Sequence, residues 1–315
     1  MTQRTLERPV ETAERPYATR RPIARWWRDI VRNPWGKPRF LFLFTMLYMA
    51  WSLAPVAIAV LFSFNSGRSR SSLQGLSLRW YIGDPVDSVL HDPTLRGALA
   101  QSLKLSLLTT LIAVPLGVAF AIGLDRWRGR GSGTSNFLML FSFVTPEIIM
   151  GVSLFLVFTK ALALVGLGTR AQVLGLITFE MAYPVIIVRA RLLSIGKEYE
   201  EAAMDLGATS TQAVRMTLLP LLLPAIFASA MLVFADTIDD FIIARYLSAG
   251  ASTETIPIRI YDAARATVTP ALNALATLML GSTMIAVVAG FLVYRYLTKG
   301  ERRRGSALDS FAAQI

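Results

Sequence analysis

Five carboxylates stand inside otherwise apolar stretches of this 315-residue chain: Glu147, Glu180, Asp236, Asp239 and Asp240. Fixed negative groups in a poorly solvated setting replace the water that a cation sheds, so these side chains can line a route for positive solutes. A carboxylate at the centre of a lipid-facing helix costs about 2.5–3.5 kcal/mol, which directs all five toward a bundle interior, a cavity or one another. Asp236, Asp239 and Asp240 recur at i, i+3 and i+4 and share one side of any helix that continues through them. Glu147 and Glu180 lie nearer mid-depth of their stretches. Lys104, Lys160, Arg189, Arg191 and Arg245 instead fall near stretch ends, and the contrast favours transit of a cation over an anion. A structural role competes at each position: hydrogen bonds to Thr145, Thr178, Tyr183 or Thr237, or the capping of a broken helix.

Enzymatic chemistry has little to work with. The single histidine, His91, precedes an apolar stretch rather than lying within one, which disfavours an intramembrane Ser/His pair or a His-rich metal site. Asp239 and Asp240 are successive, so on a helix they point about 100° apart and share a proton poorly; no G-x-G-D element accompanies them. No G-x-x-x-x-G-K-[ST] phosphate loop occurs, and cysteine is absent, so neither nucleotide hydrolysis by that route nor thiolate metal binding is expected.

The elements that must position the acids are membrane helices. The chain is 54% hydrophobic with mean hydropathy +0.49, and six apolar runs, at about 40–64, 98–124, 137–165, 171–188, 221–247 and 271–297, predict six spans. Pro146, Pro184 and Pro224 predict bends within or beside them. The net charge of +11 is distributed by loop: twenty-two Lys and Arg lie before residue 40, in 125–136, in 189–217 and after 294, against seven on the other side. This asymmetry predicts cytoplasmic termini and argues against nucleic-acid recognition. Residues 1–39 read as a basic cytoplasmic tail without the apolar core of a cleavable signal peptide; Trp26, Trp27 and Trp35 suit contact with membrane lipid. Residues 40–299 form the spanning domain and 300–315 a second cytoplasmic tail. In the longest external loop, 65–97, the Trp80-Tyr81 pair suits either an interfacial anchor or a docking surface.

Between the fourth and fifth runs lies a polar, helix-favouring segment, 198–220, reading EYEEAAMDLGATSTQAVRMTLLP. Glu and Ala propagate a helix, Gly207 permits a sharp change of direction, and Pro220 suits a helix start. Glu201-Ala202-Ala203, Gly207 and Leu219-Pro220 resemble the EAA loop of permease subunits in bacterial ABC importers, although Thr217 stands where the family usually has Ile. Asp239-Asp240-Phe241, Leu247-Ser248, Ile256 to Tyr261, Val268-Thr269-Pro270 and Asn273 to Leu278 are similar to spermidine/putrescine importer permeases of the PotC-like type. Leu78 to Tyr81, Pro146-Glu147-Ile148 and Gly151 share that similarity.

The resemblance implies an all-α membrane protein with the type I ABC importer permease fold, in the bacterial inner membrane. It also implies a non-catalytic subunit with no bound cofactor, ATP and Mg being used by a partner ATPase dimer that docks on the EAA-like segment. A second homologous permease and an extracytoplasmic substrate-binding protein would complete the assembly. Polyamines are the expected cargo. The same machinery carrying aminoethylphosphonate, ferric iron, thiamine or an oxyanion is the first alternative, and an ATP-independent channel the second.

Overall fold

The computed structural model describes residues 39–69, 72–126, 129, 133–135, 137, 141, 144–265 and 270–312. Most of the basic tail (1–38), the Val268-Thr269 pair and much of the start of the predicted third span lie outside them. The chain divides into two compact units, Met1–Ala57 and Ile58–Ile315. The described part of the first is the beginning of helix α1 (Arg39–Ser63), whose Tyr48 and Trp51 ring centroids are 6.2 Å apart.

The second unit is helical, with one isolated backbone bridge, between Asn65 and Leu76, and no strand among the described residues. It contains α2 (Pro93–Arg126), α3 (Glu147–Leu156), α4 (Thr169–Glu180), α5 (Ala182–Ile195), α6 (Glu198–Asp205) and α7 (Ser210–Ala213). These are followed by α8 (Leu219–Asp239), α9 (Ile242–Tyr246), α10 (Ile256–Arg265) and α11 (Pro270–Ala312). Five continuous helical stretches among the described residues are long and apolar enough to cross a bilayer. The predicted third span is represented by α3 and the π turn Val157–Ala161 that prolongs it, making the architecture consistent with six spans.

Three departures from uninterrupted spans matter. At Pro146 the backbone is extended, with ψ 132°, and regular helix begins only at Glu147; a proline excludes the preceding residue from helical geometry. The fourth span is α4 and α5 joined at Met181, because Pro184 cannot donate a hydrogen bond to the Glu180 carbonyl four residues earlier. The fifth span does not run to 247. It ends at Asp239, Asp240 turns extended with ψ 122°, and α9 starts afresh.

Apolar packing occurs in three clusters. Val118, Val188, Leu192, Leu218 and Leu222 join α2, α5 and the foot of the fifth span. Leu105, Leu154, Phe158, Leu176 and Ile243 join α2, α3, α4 and α9. The third, around Trp80, Val89, Leu95, Ile256 and Leu275, belongs to the 65–97 loop and the helix ends packed against it. Trp80 is therefore neither an interfacial anchor nor a docking surface: it is 1% exposed, and its indole N–H donates to the Asn65 carbonyl at 2.6 Å. Tyr81 hydrogen-bonds to Ser63 at 2.7 Å.

Candidate functional site

The breaks in the helices are where the acids converge. Glu147 occupies the first turn of α3, Glu180 the last residue of α4, Asp236 the last turn of α8, and Asp240 the extended link beyond it. Glu147 lies beside Asp240, and Asp236 lies beside both Glu180 and Tyr183. Four of the five predicted pathway acids thus come together from three separate spans. Asp239 is exposed and its nearest acidic neighbour is Asp236. The expectation of one continuous acidic helix face fails at Asp240, because the helix stops one residue short of it.

These acids are held differently. Asp240 is buried and its Oδ1 accepts the Ala244 N–H at 2.8 Å, so it caps α9 as well as facing Glu147. Glu180 is 1% exposed and neither carboxyl oxygen meets a hydrogen-bond donor among the described residues. Of the residues named as structural partners for the acids, Thr145 and Thr178 bond to the carbonyls of Phe141 and Leu174 within their own turns, and Tyr183 lies beside Asp236. Glu180 also sits at a helix C-terminus, where backbone carbonyls add negative potential, and Pro184 leaves its own carbonyl without the usual helical donor. The break in the fourth span thus gathers unpartnered carboxylate oxygens and a backbone carbonyl that Pro184 cannot serve.

Two buried glutamines anchor one side of this arrangement, and no motif announced them. The Gln101 side-chain N–H groups donate to Gln172 Oε1 at 2.8 Å and to Thr169 at 2.9 Å. Gln172 in turn donates to the carbonyls of Ala244 and Thr253, both at 2.9 Å. Ser102 accepts the Ile256 N–H at 2.9 Å. Together these bonds hold the link after the fifth span against α2 and α4.

At the other end, α6 carries the EAA-like residues. Glu201 and Ala202 are exposed, Ala203 is half-buried, and the chain reverses at Gly207 with φ +91°, a conformation that disfavours side chains with a Cβ. Thr209 then caps α7 through a reciprocal capping box with Gln212. Pro220 falls at the start of regular α-helix, as expected, but the helical segment already begins at Ser210 and passes through a π turn, Val214–Leu218, before Leu219. Tyr199, Met204, Leu206 and Met216 leave apolar surface exposed on this segment, Leu206 by 90%. One contact was not legible in the motif: Arg126, the last residue of α2, pairs with both Asp125 and Glu200.

A membrane helical bundle with broken spans, converging acids and a helix-Gly-helix segment between the fourth and fifth spans defines a transport subunit. The chain belongs to the binding-protein-dependent transport system inner membrane component family, whose sequence profile matches residues 113–303. It is therefore a multi-pass protein of the inner membrane. It is 34% identical over 280 residues to the putrescine transport system permease protein PotI of Escherichia coli K12, covering 87% of this chain and 95% of that protein. It is 32% identical over 256 residues to the spermidine/putrescine transport system permease protein PotC of the same strain, with 81% and 94% covered. The fold matches a chain of a bacterial ABC transporter that imports the acidic polysaccharide alginate, with TM-score 0.67 and 17% identity, covering 87% of this chain and 100% of that one. A chain of the MetNI methionine ABC transporter matches with TM-score 0.54 and 20% identity over 65% of this chain and 94% of that one.

Proposed function

We propose that this chain is a permease subunit of an ATP-driven polyamine importer, forming the translocation pathway with a second, homologous permease. The observation that carries the cargo assignment is the convergence of Glu147, Glu180, Asp236 and Asp240 from three spans beside Tyr183. A polyamine gives up hydration at several ammonium groups, and several inward carboxylates spread over a few helices offset that loss. The relatives PotI and PotC, whose names carry putrescine and spermidine, support the same cargo class.

In this reading the exposed face of 198–220, with Glu201, Ala202, Ala203, Gly207, Leu219 and Pro220 at its core, receives a separate ATPase dimer that uses ATP and Mg. An extracytoplasmic binding protein delivers cargo on the opposite side. Both termini, including the tails 1–39 and 300–315, are cytoplasmic, consistent with the distribution of Lys and Arg. The chain itself contributes the route and the coupling surface rather than chemistry. Radiolabelled putrescine uptake into proteoliposomes containing the assembled complex tests the assignment, with competition by spermidine, aminoethylphosphonate and iron. ATP-dependent uptake competed by spermidine alone is expected. Uptake without ATP, or competition by aminoethylphosphonate or iron but not spermidine, would overturn it.

A further inference from the structure

The ion-pair group at the cytoplasmic end of α2 has no part in the pathway, yet its geometry is specific. Arg126 terminates the 34-residue helix α2 and reaches Asp125 beside it and Glu200 on α6, 74 positions further along the chain. The Arg126 side chain is 23% exposed, and the Asp125 and Glu200 side chains 13% and 11%. Among the described residues this is the one ion pair joining α6 to a membrane span. The remaining acids of α6, Glu198, Glu201 and Asp205, are exposed, so Glu200 is the acid that this helix turns inward.

From that point α2 runs to the acid cluster. Gly117 lies against the break in the fourth span so closely that a Cβ there would come 2.5 Å from Pro184 Cγ and 3.1 Å from the Met181 carbonyl. Met181 follows Glu180 directly. The proline-free last part of α2, beyond Pro115, therefore touches α6 through Arg126 and the support of Glu180 through Gly117. The other connection from α6, through Gly207 and Thr209 into the fifth span, includes an exposed turn and a π segment, both softer elements than an uninterrupted α-helix.

We propose that Arg126 is a positioning residue that couples movement of α6 to the second span, and through it to the pathway. This rests on the reading of the chain as a subunit of an ATP-driven importer. Arg126 balances two carboxylates that would otherwise face each other in a half-buried setting, so its loss both breaks the tie and drives α6 away from α2. Loss of Glu200 breaks the tie while leaving Arg126 paired with Asp125. The two losses should uncouple transport from hydrolysis to different degrees.

The test uses the complete complex in proteoliposomes, measuring radiolabelled putrescine uptake and ATP hydrolysis in the same preparation. Four forms are compared with the parent: Glu200→Gln, Arg126→Ala, Arg126→Lys and the exchanged pair Arg126→Glu with Glu200→Arg. Uptake per ATP hydrolysed should fall about threefold to tenfold in Glu200→Gln and further in Arg126→Ala. Arg126→Lys should lose little, and the exchanged pair should recover to within about threefold of the parent. A general folding defect lowers uptake and hydrolysis together and is not repaired by exchange. An unchanged ratio in both Glu200→Gln and Arg126→Ala, or no recovery in an exchanged pair that assembles, would overturn the proposal. Failure of the parental complex to take up putrescine with ATP would instead overturn the functional reading beneath it.

Discussion

Gly117 offers a perturbation whose size follows from the packing. An alanine there places a methyl carbon 2.5 Å from Pro184 Cγ, 2.9 Å from Pro184 Cβ and 3.1 Å from the Met181 carbonyl oxygen. Ordinary carbon contacts lie near 3.5–4.0 Å, so α2 and the fourth span must separate by about 1 Å. The obstacles are a proline ring and a backbone oxygen, neither able to rotate aside. Overpacking of this kind costs about 1–3 kcal/mol. Gly123, six residues further along the same helix, is the control, because a Cβ there meets nothing within 4 Å. Both substitutions gain the same helix propensity, about 0.8–1 kcal/mol, so it cancels between them. Gly117→Ala should therefore be less stable than Gly123→Ala by about 1–3 kcal/mol, roughly 2–12 °C in the unfolding midpoint of the purified complex. Putrescine uptake should fall at least tenfold in Gly117→Ala alone, since Glu180 rides on the displaced segment. Equal midpoints for the two variants would refute the close approach as a constraint. Parental uptake by Gly117→Ala would separate Glu180 from that constraint.

Gly207→Val should preserve membrane insertion but cut uptake and substrate-stimulated ATP hydrolysis at least tenfold; φ +91° in open surroundings makes the penalty one of backbone alone, about 1–2 kcal/mol. Gly207→Asn should keep most activity, and equal behaviour of Val and Asn would count against the turn. Glu201→Lys, reversing a charge on an exposed face of α6, should lower ATPase recovery with the purified chain, whereas undiminished recovery would move the dock elsewhere. Among the acids, Glu147→Gln, Glu180→Gln and Asp236→Asn should each reduce putrescine uptake about tenfold or more, while the exposed Asp239→Asn should change it less than threefold. Parental rates in the first three would remove the acid-lined route. In the 65–97 loop, the N–H groups of Asp87 and Val86, then the Arg79 guanidinium, hold Asp84 at about 2, below its ordinary 3.8. Its contribution to the loop is thus present above pH 3.8 and lost as pH falls toward 2. Cleavage of the loop by an acid protease should rise across that interval in the parent and lose this dependence in Asp84→Asn.

Much of the bundle was legible because length and hydropathy govern insertion: the second and sixth apolar runs each lie within one helix, and the first does but for its last residue. The breaks were only partly legible. Pro146 and Pro184 announce theirs by lacking an N–H, but the stop at Asp239 has no Pro or Gly beside it. It arises because the Asp240 carboxylate bonds to the Ala244 N–H, a choice that local helix propensity does not register. Among the candidate residues, the i, i+3, i+4 pattern grouped Asp239 with Asp236 and Asp240, whereas the break turns Asp240 toward Glu147. The meeting of Glu147 with Asp240, of Gln101 with Gln172 and of Arg126 with Glu200 depends on which helices are neighbours, and separations of about seventy residues or more along one chain hold no periodic trace of it.

The π turn at Val214–Leu218 sets an angular phase. A π turn accommodates one residue more than the α-helix it interrupts, and each residue advances a helix by about 100°. The faces of Ser210–Ala213 are therefore out of phase with those of α8 by about that angle, although both lie on one 30-residue helical span. Pro220, just beyond, donates nothing to the ladder and makes the wider turn easier to keep. A one-residue deletion within Val214–Leu218 would close the wide turn into regular α-helix, leaving hydropathy, span length and the setting of Ser210–Ala213 relative to Asp236 almost untouched. Aligning two such permeases by hydropathy alone would miss the extra residue, and a helical wheel drawn through the whole span would assign Ser210–Ala213 to the wrong side.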